Sequence, residues 1–170
     1  TNFPNVQFNL QTNGVMFTPK VWDKISGIHN NIGSVIISLD AATEPVYNIT
    51  RAGGNWSRLL ENLQFLSTKY REGYIKKIRL DFVVQGVNYT DMPGFINIGK
   101  DLNISHPEGP TLYFSRVHNW RWSPEEFKKH KIWDPGHEEY GNFVQILKDP
   151  IFNDKDVDMG NLSHLHRTLA

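Results

Sequence analysis

A repeated change of period constrains this chain more than any other feature. Runs with strand character alternate with runs of helical spacing across most of its length. "VQFNL" (6–10) alternates apolar and polar residues, and "KIRLDFVV" (77–84) does so through Ile78, Leu80, Phe82 and Val84. "SVIISL" (34–39) is continuously apolar with a β-branched centre, which predicts a strand covered on both faces, as in parallel sheets. "PTLYFSRV" (110–117) is a fourth strand. Between these lie helical faces. Thr18-Pro19 is an N-cap followed by proline at the first helical position, and Val21, Trp22, Ile25 and Ile28 follow at helical spacing. Asn55 caps a helix to about residue 71, with Leu59, Leu60, Leu63, Leu66 and Tyr70 on one face and Gly73 at its end. Asn88 and Asp91 form a capping pair for the face of Met92, Phe95, Ile96 and Leu102.

The order βαβαβαβ followed by helices predicts an α/β fold with right-handed crossovers and a parallel sheet. "SPEE" (123–126) opens a further helix, and Tyr140, Phe143, Val144 and Leu147 mark another over 138–148. The chain from 149 onward is polar and reads as irregular. The expected organisation is one β/α domain over residues 1–150 and an irregular tail over 151–170. "TNFPNVQFNL" has no initiator Met and enters a strand almost at once, which fits a piece of something longer or a processed terminus.

Composition narrows the function classes. Lys+Arg and Asp+Glu are both 18, so no basic field points to nucleic acid and no charge block to a tail. No apolar run approaches the length of a membrane span. The chain has no cysteine, which removes disulfides, thiolate metal sites, thiol catalysis and a cysteine-held iron–sulfur cluster, and points to the cytoplasm. Asn-x-Ser/Thr occurs at Asn48, Asn55, Asn88, Asn103 and Asn161; helix capping by Asn55 and Asn88 explains the pattern better than glycosylation. The seven His form no metal motif. His164-x-His166 has strand-like spacing within the tail, and His118 reads as part of an aromatic cluster with Trp120 and Trp122.

In parallel β/α folds ligands bind beyond the C-terminal ends of the strands. That rule selects Thr12-Asn13-Gly14, Ser38-Leu39-Asp40, Val84-Gln85-Gly86 and Ser115-Arg116. Arg51 lies in the loop before Gly53-Gly54, and its planar fork suits a carboxylate or phosphate. Ser38 and Asp40 offer partners for ribose hydroxyls or an amino group. Bland roles stand beside these: Ser38 satisfying a backbone group, Asp40 capping a helical turn near Thr43, and Arg51 pairing with Asp40 to staple the loop.

"LQTNGVMF", "VIISLDAATEPVYNITRAGGNWSRLLENLQFL" and "KIRLDFVVQGVNYTDMPGFINIGKDLNI" together resemble the middle of a radical S-adenosylmethionine (SAM) enzyme, over about residues 6 to 120, and "FSRVHNWRWSPEEF" extends the likeness. The resemblance implies strands three to six of a partial (β/α)6 TIM-type barrel. It also implies a 4Fe-4S cluster on a CxxxCxxC loop, and SAM cleaved there to a 5′-deoxyadenosyl radical. Carried over by position, it places Thr12 and Asn13 beside SAM, Ser38 on SAM with Asp40 next to it, Arg51 on the methionine carboxylate, and Val84 and Gln85 along the adenosine.

The CxxxCxxC loop and the glycine-rich stretch for the SAM amino group are both absent, and the expectation is that they precede Thr1. SAM and the cluster are therefore expected in a parent protein and not on this chain, which carries no expected catalytic residue or metal ligand and is inactive alone. The substrate is a small molecule or peptide not specified by the barrel core. Other readings are a stand-alone module binding a small carboxylate- or nucleotide-containing ligand, and a cofactor-free hydrolase or isomerase using His118 or Asp40. Exposed sheet edges predict self-association.

Overall fold

Helices cover one face of a parallel sheet and leave the other open, and the burial alternation of the strands records this directly. The computed structural model describes residues 5–169. Its strands are β1 (Phe8–Thr12), β2 (Ile32–Ser38), β3 (Lys77–Val84), β4 (Leu112–Arg116) and β5 (Val157–Asp158). They pair in parallel in the order β1-β2-β3-β4-β5. A doubly wound sheet reverses its order at a switch point; this one never does, so every crossover returns over the same face, as in a barrel wall. In β3 the buried residues are Ile78, Leu80, Phe82 and Val84, and the residues between them are only half-buried.

The helices are α1 (Pro19–Lys24), α2 (Glu44–Thr50), α3 (Trp56–Arg71), α4 (Met92–Asp101), α5 (Pro124–His130), α6 (Tyr140–Leu147) and α7 (Ser163–Leu169). Asn55 caps α3 by accepting from the Arg58 N–H at 2.8 Å, and Ser123 and Glu126 form a reciprocal capping box on α5. The core runs between the sheet and α3, α4 and α6. At its centre Phe82, Phe95 and Phe114 meet edge-on or tilted, with ring centroids 5.1–5.5 Å apart. Among the described residues no helix is long and apolar enough to cross a membrane.

Four expectations need correction. First, β2 is not covered on both faces: Ser34, Ile36 and Ser38 alternate with buried Val35 and Ile37. Its apolar run came from one isoleucine on the open side. Second, residues after 149 are regular. They contribute β5, which extends the sheet at β4, and α7, and they bury Phe152, Met159 and Leu162. Third, His164 and His166 therefore lie on a helix, with the His166 ring 6.2 Å from Phe152; no cluster of metal-ligating groups occurs among the described residues. Fourth, Trp122 stacks on Phe127 and His130, while Trp120 stands 80% exposed and His118 is exposed beside it.

Candidate functional site at the strand tips

The C-terminal tips of β2 and β3 are tied together by buried polar side chains, and the β1 tip loop is tied to α3 by Asn62. Asp40 is the centre. It follows β2 with φ of 58°, the left-handed region that costs a non-glycine residue about 1 kcal/mol or more. Three contacts hold it there. Its Oδ1 accepts from the Val83 N–H at 2.7 Å, its Oδ2 pairs with Arg51 Nη2, and its backbone carbonyl accepts from Asn88 Nδ2 at 3.0 Å. The carboxylate side chain is only 8% exposed. Burial pushes its pKa above the ordinary 3.8, while the Arg51 charge and the Val83 N–H pull it back.

Arg51 closes α2 as its C-cap. One end of its guanidinium is fixed by Asp40, and its Nε is buried without a hydrogen-bond partner. It lines an open depression of about 480 Å³, together with Asn13, Tyr47, Thr50 and Gly54. Gly54 is required by close approach, since a Cβ there would stand 2.6 Å from the Tyr47 hydroxyl. Gly14 in the β1 tip loop has φ of 76°, and a Cβ would meet Leu59 at 2.5 Å.

The expected residues separate into groups. Asn13 and Arg51 share the depression, and Asp40 orients Arg51 from below. The Thr12 hydroxyl accepts from the Gly14 N–H at 3.1 Å, and Asn13 Oδ1 from the Val15 N–H at 3.2 Å, so both also shape their own loop. Ser38 lies on the open sheet face in register with Asp81. Gln85 follows β3, its N–H donating to Asn88 Oδ1 at 2.9 Å. Of the bland roles, the Arg51–Asp40 staple forms. Asp40 does not cap α2, and no side chain does; Asp91 instead anchors the turn before it, its Oδ2 accepting from the N–H groups of Ala42 (2.7 Å) and Thr43 (2.9 Å) and from the Thr43 hydroxyl (3.0 Å).

Sequence reasoning missed the residues that hold the tips. Asn88 was expected to cap a helix, yet its side chain makes no cap bond. It is fully buried and also donates to the Val83 carbonyl at 3.0 Å. Asn62 is buried on the apolar face of α3 and donates to the carbonyls of Gly14 and Val15, both at 2.9 Å. A polar residue inside the stripe Leu59, Leu63, Leu66 was the available signal, because a buried amide needs partners. Asp81 and Arg79 were also missed. They form a two-pronged pair at 2.7 and 3.0 Å on the open face, with Arg79 stacked 4.9 Å over Tyr113. Burial raises the Asp81 pKa above 3.8, against the pull of Arg79.

No protein-family model matches the chain, and no curated protein matches it. Solved structures do, among them native anSMEcpe with bound AdoMet and Kp18Cys peptide, and native anSMEcpe with bound AdoMet, AdoMet being S-adenosylmethionine. Both of these superpose with a TM-score of 0.52 at 15% sequence identity, over 96% of this chain and 43% of the other. The chain thus spans less than half the length of these relatives in shape. It has an α/β fold with a five-stranded parallel sheet, of the partial TIM-barrel type, and shares that fold with these structures.

Proposed function

We propose that this chain forms one wall of an AdoMet site in a radical SAM enzyme, with Arg51 as the carboxylate-binding residue. The observation that carries this reading is Arg51 itself: a guanidinium oriented by a buried carboxylate, with an unpartnered buried Nε, beside an open depression at the strand tips. The fit to AdoMet is good in kind. Arg51 matches the methionine carboxylate, and the Asn13 and Thr50 side chains offer polar partners around it. The fold shared with AdoMet-bearing anSMEcpe supports the same ligand.

The 4Fe-4S cluster does not fit this chain: it has no cysteine, and no group of three His, Cys, Asp or Glu gathers among the described residues. The cluster ligands, and with them cleavage of AdoMet to start radical chemistry on a small-molecule or peptide substrate, belong in this reading to a CxxxCxxC segment outside these residues. The chain alone is then inactive and holds AdoMet weakly. An amide NMR titration of the full chain with millimolar AdoMet tests it. Shifts centred on Asn13, Arg51, Gly53 and Gly54, lost in Arg51→Met, are expected; no shift at these tips would sink the reading.

The missing cysteines favour a second reading, a non-catalytic module for a small acid or nucleotide. It predicts tip shifts with nucleotides or sugar phosphates where AdoMet gives none. In both readings the outer edge of β1 has no partner strand among the described residues, and we expect self-association. Light scattering that reports a monomer at every concentration would remove that expectation.

A further inference from the structure

A second concave site lies at the rim of β4, on the helix-covered side of the sheet. Arg116 ends β4 and shares the face of Leu112 and Phe114, away from the open face that carries Ser38 and Asp81. With Trp133, Tyr140, Asn161, His164 and Thr168 it lines a cavity of about 360 Å³. That is within the range of small-ligand sites, about 300–1,000 Å³, which combine apolar walls with a few placed polar groups. These residues come from β4, the loop after α5, α6, and the turn and helix that follow β5, so the cavity depends on the folded tail.

Arg116 is its permanent cation and Asn161 an amide beside it, while Tyr140, His164 and Thr168 carry groups that both donate and accept, the Thr168 hydroxyl already donating to the Leu165 carbonyl at 2.7 Å. The Arg116 guanidinium sits 5.8 Å over the Trp133 ring, and among the described residues no carboxylate pairs with it. Asn161 Oδ1 accepts from the Arg116 N–H at 2.7 Å, which leaves its amide N–H groups as further donors. No acidic side chain lines the cavity. A fork-shaped cation with an adjacent amide donor is a receptor for a planar anion, and Trp133 and Tyr140 supply flat apolar walls. One cation matches one negative charge.

We infer that this cavity binds a small aromatic carboxylate, its carboxylate on Arg116 and Asn161 and its ring against Trp133 and Tyr140. The site is separate from the Arg51 depression, so it stands or falls independently of AdoMet binding. The test is an amide and indole N–H NMR titration of the full chain with indole-3-acetate, compared with indole, acetate and phenyl phosphate. Saturable shifts at Arg116, Asn161 and the Trp133 indole N–H are expected. Binding of indole and of acetate should each be weaker by at least about tenfold, the equivalent of one charge-assisted hydrogen bond. Arg116→Met should weaken indole-3-acetate by a similar factor and Arg116→Lys by less, with the rest of the spectrum preserved. Asn161→Ala, which leaves the guanidinium in place, should cost a smaller factor. Equal binding of indole and indole-3-acetate, unchanged binding in Arg116→Met, or no saturable shift would overturn the site. Tighter binding of phenyl phosphate would overturn the carboxylate assignment.

Discussion

Arg51 and Arg116 both stand at strand tips, yet the protein holds them in opposite ways. Arg51 is locked from below by a buried carboxylate, and Asp40 is in turn locked by Val83 and Asn88. Arg116 rests on an aromatic ring, with its backbone alone tied down by Asn161. A salt-bridged guanidinium has its direction set before any ligand arrives, at the expense of a desolvated ion pair. A ring-supported one keeps its hydrogen-bonding capacity and contributes little to stability. The first arrangement suits a site that must be rigid, the second one whose ligand supplies the missing charge.

The comparison breaks first at Asn88. Replacing it with Ala strips partners from the Asp40 and Val83 carbonyls and the Gln85 N–H, so urea denaturation should show a loss of about 3 kcal/mol. The counterpart Asn161→Ala removes a single exposed bond and should cost at most about 1 kcal/mol. Next is Asp40→Ala, which keeps the strained backbone and loses both carboxylate contacts; about 2 kcal/mol is expected. Asp40→Asn should recover part of that, because Asn tolerates the left-handed region and still accepts from Val83. Equal losses for Ala and Asn would show that the backbone conformation matters little. Smaller again is the pair of Arg variants: Arg51→Met leaves Asp40 buried without its counter-charge and should cost about 1–2 kcal/mol, Arg116→Met less than about 1 kcal/mol. Reversal of that order in thermal melts would refute the distinction.

The smallest effect is in the pH dependence. The Asp40 and Asp81 pKa values are raised in the fold, so the folded state holds more protons than the unfolded one. Their contribution to stability is present below 3.8 and is lost as pH rises through their folded values. Asp154, whose pKa is lowered chiefly by its hydrogen bond from Lys100, behaves oppositely and loses its contribution as pH falls. Carboxyl chemical shifts across an acid titration should place Asp40 and Asp81 above 3.8 and Asp154 below it; Asp40 titrating below 3.8 would mean that Arg51 outweighs burial.

Much of the fold was legible because its signals are local. The Asn55 cap and the Leu59–Leu63–Leu66 stripe specify α3, the alternation of Ile78, Leu80, Phe82 and Val84 specifies β3, and Ser123 with Glu126 opens α5. What stayed hidden is non-local. β5 has two residues, too few for a period, and exists because β4 offers it an edge. Asn88 carries the pattern of a cap, but the carbonyls of Asp40 and Val83 lie within its reach in the folded chain and take its amide instead.

The candidate site divides in the same way. The sequence by itself determined the β/α alternation, the parallel sheet and the four strand tips, since hydrophobic period and turn chemistry act over a few residues. Only the tertiary structure decided which tip residues meet. It placed Arg51 on Asp40, put Ser38 on the open face beside Asp81, and brought the folded tail against Arg116 to make a second cavity. Ion pairs, shared hydrogen bonds and cavities depend on groups far apart in the chain, and their geometry exists only after the sheet has assembled.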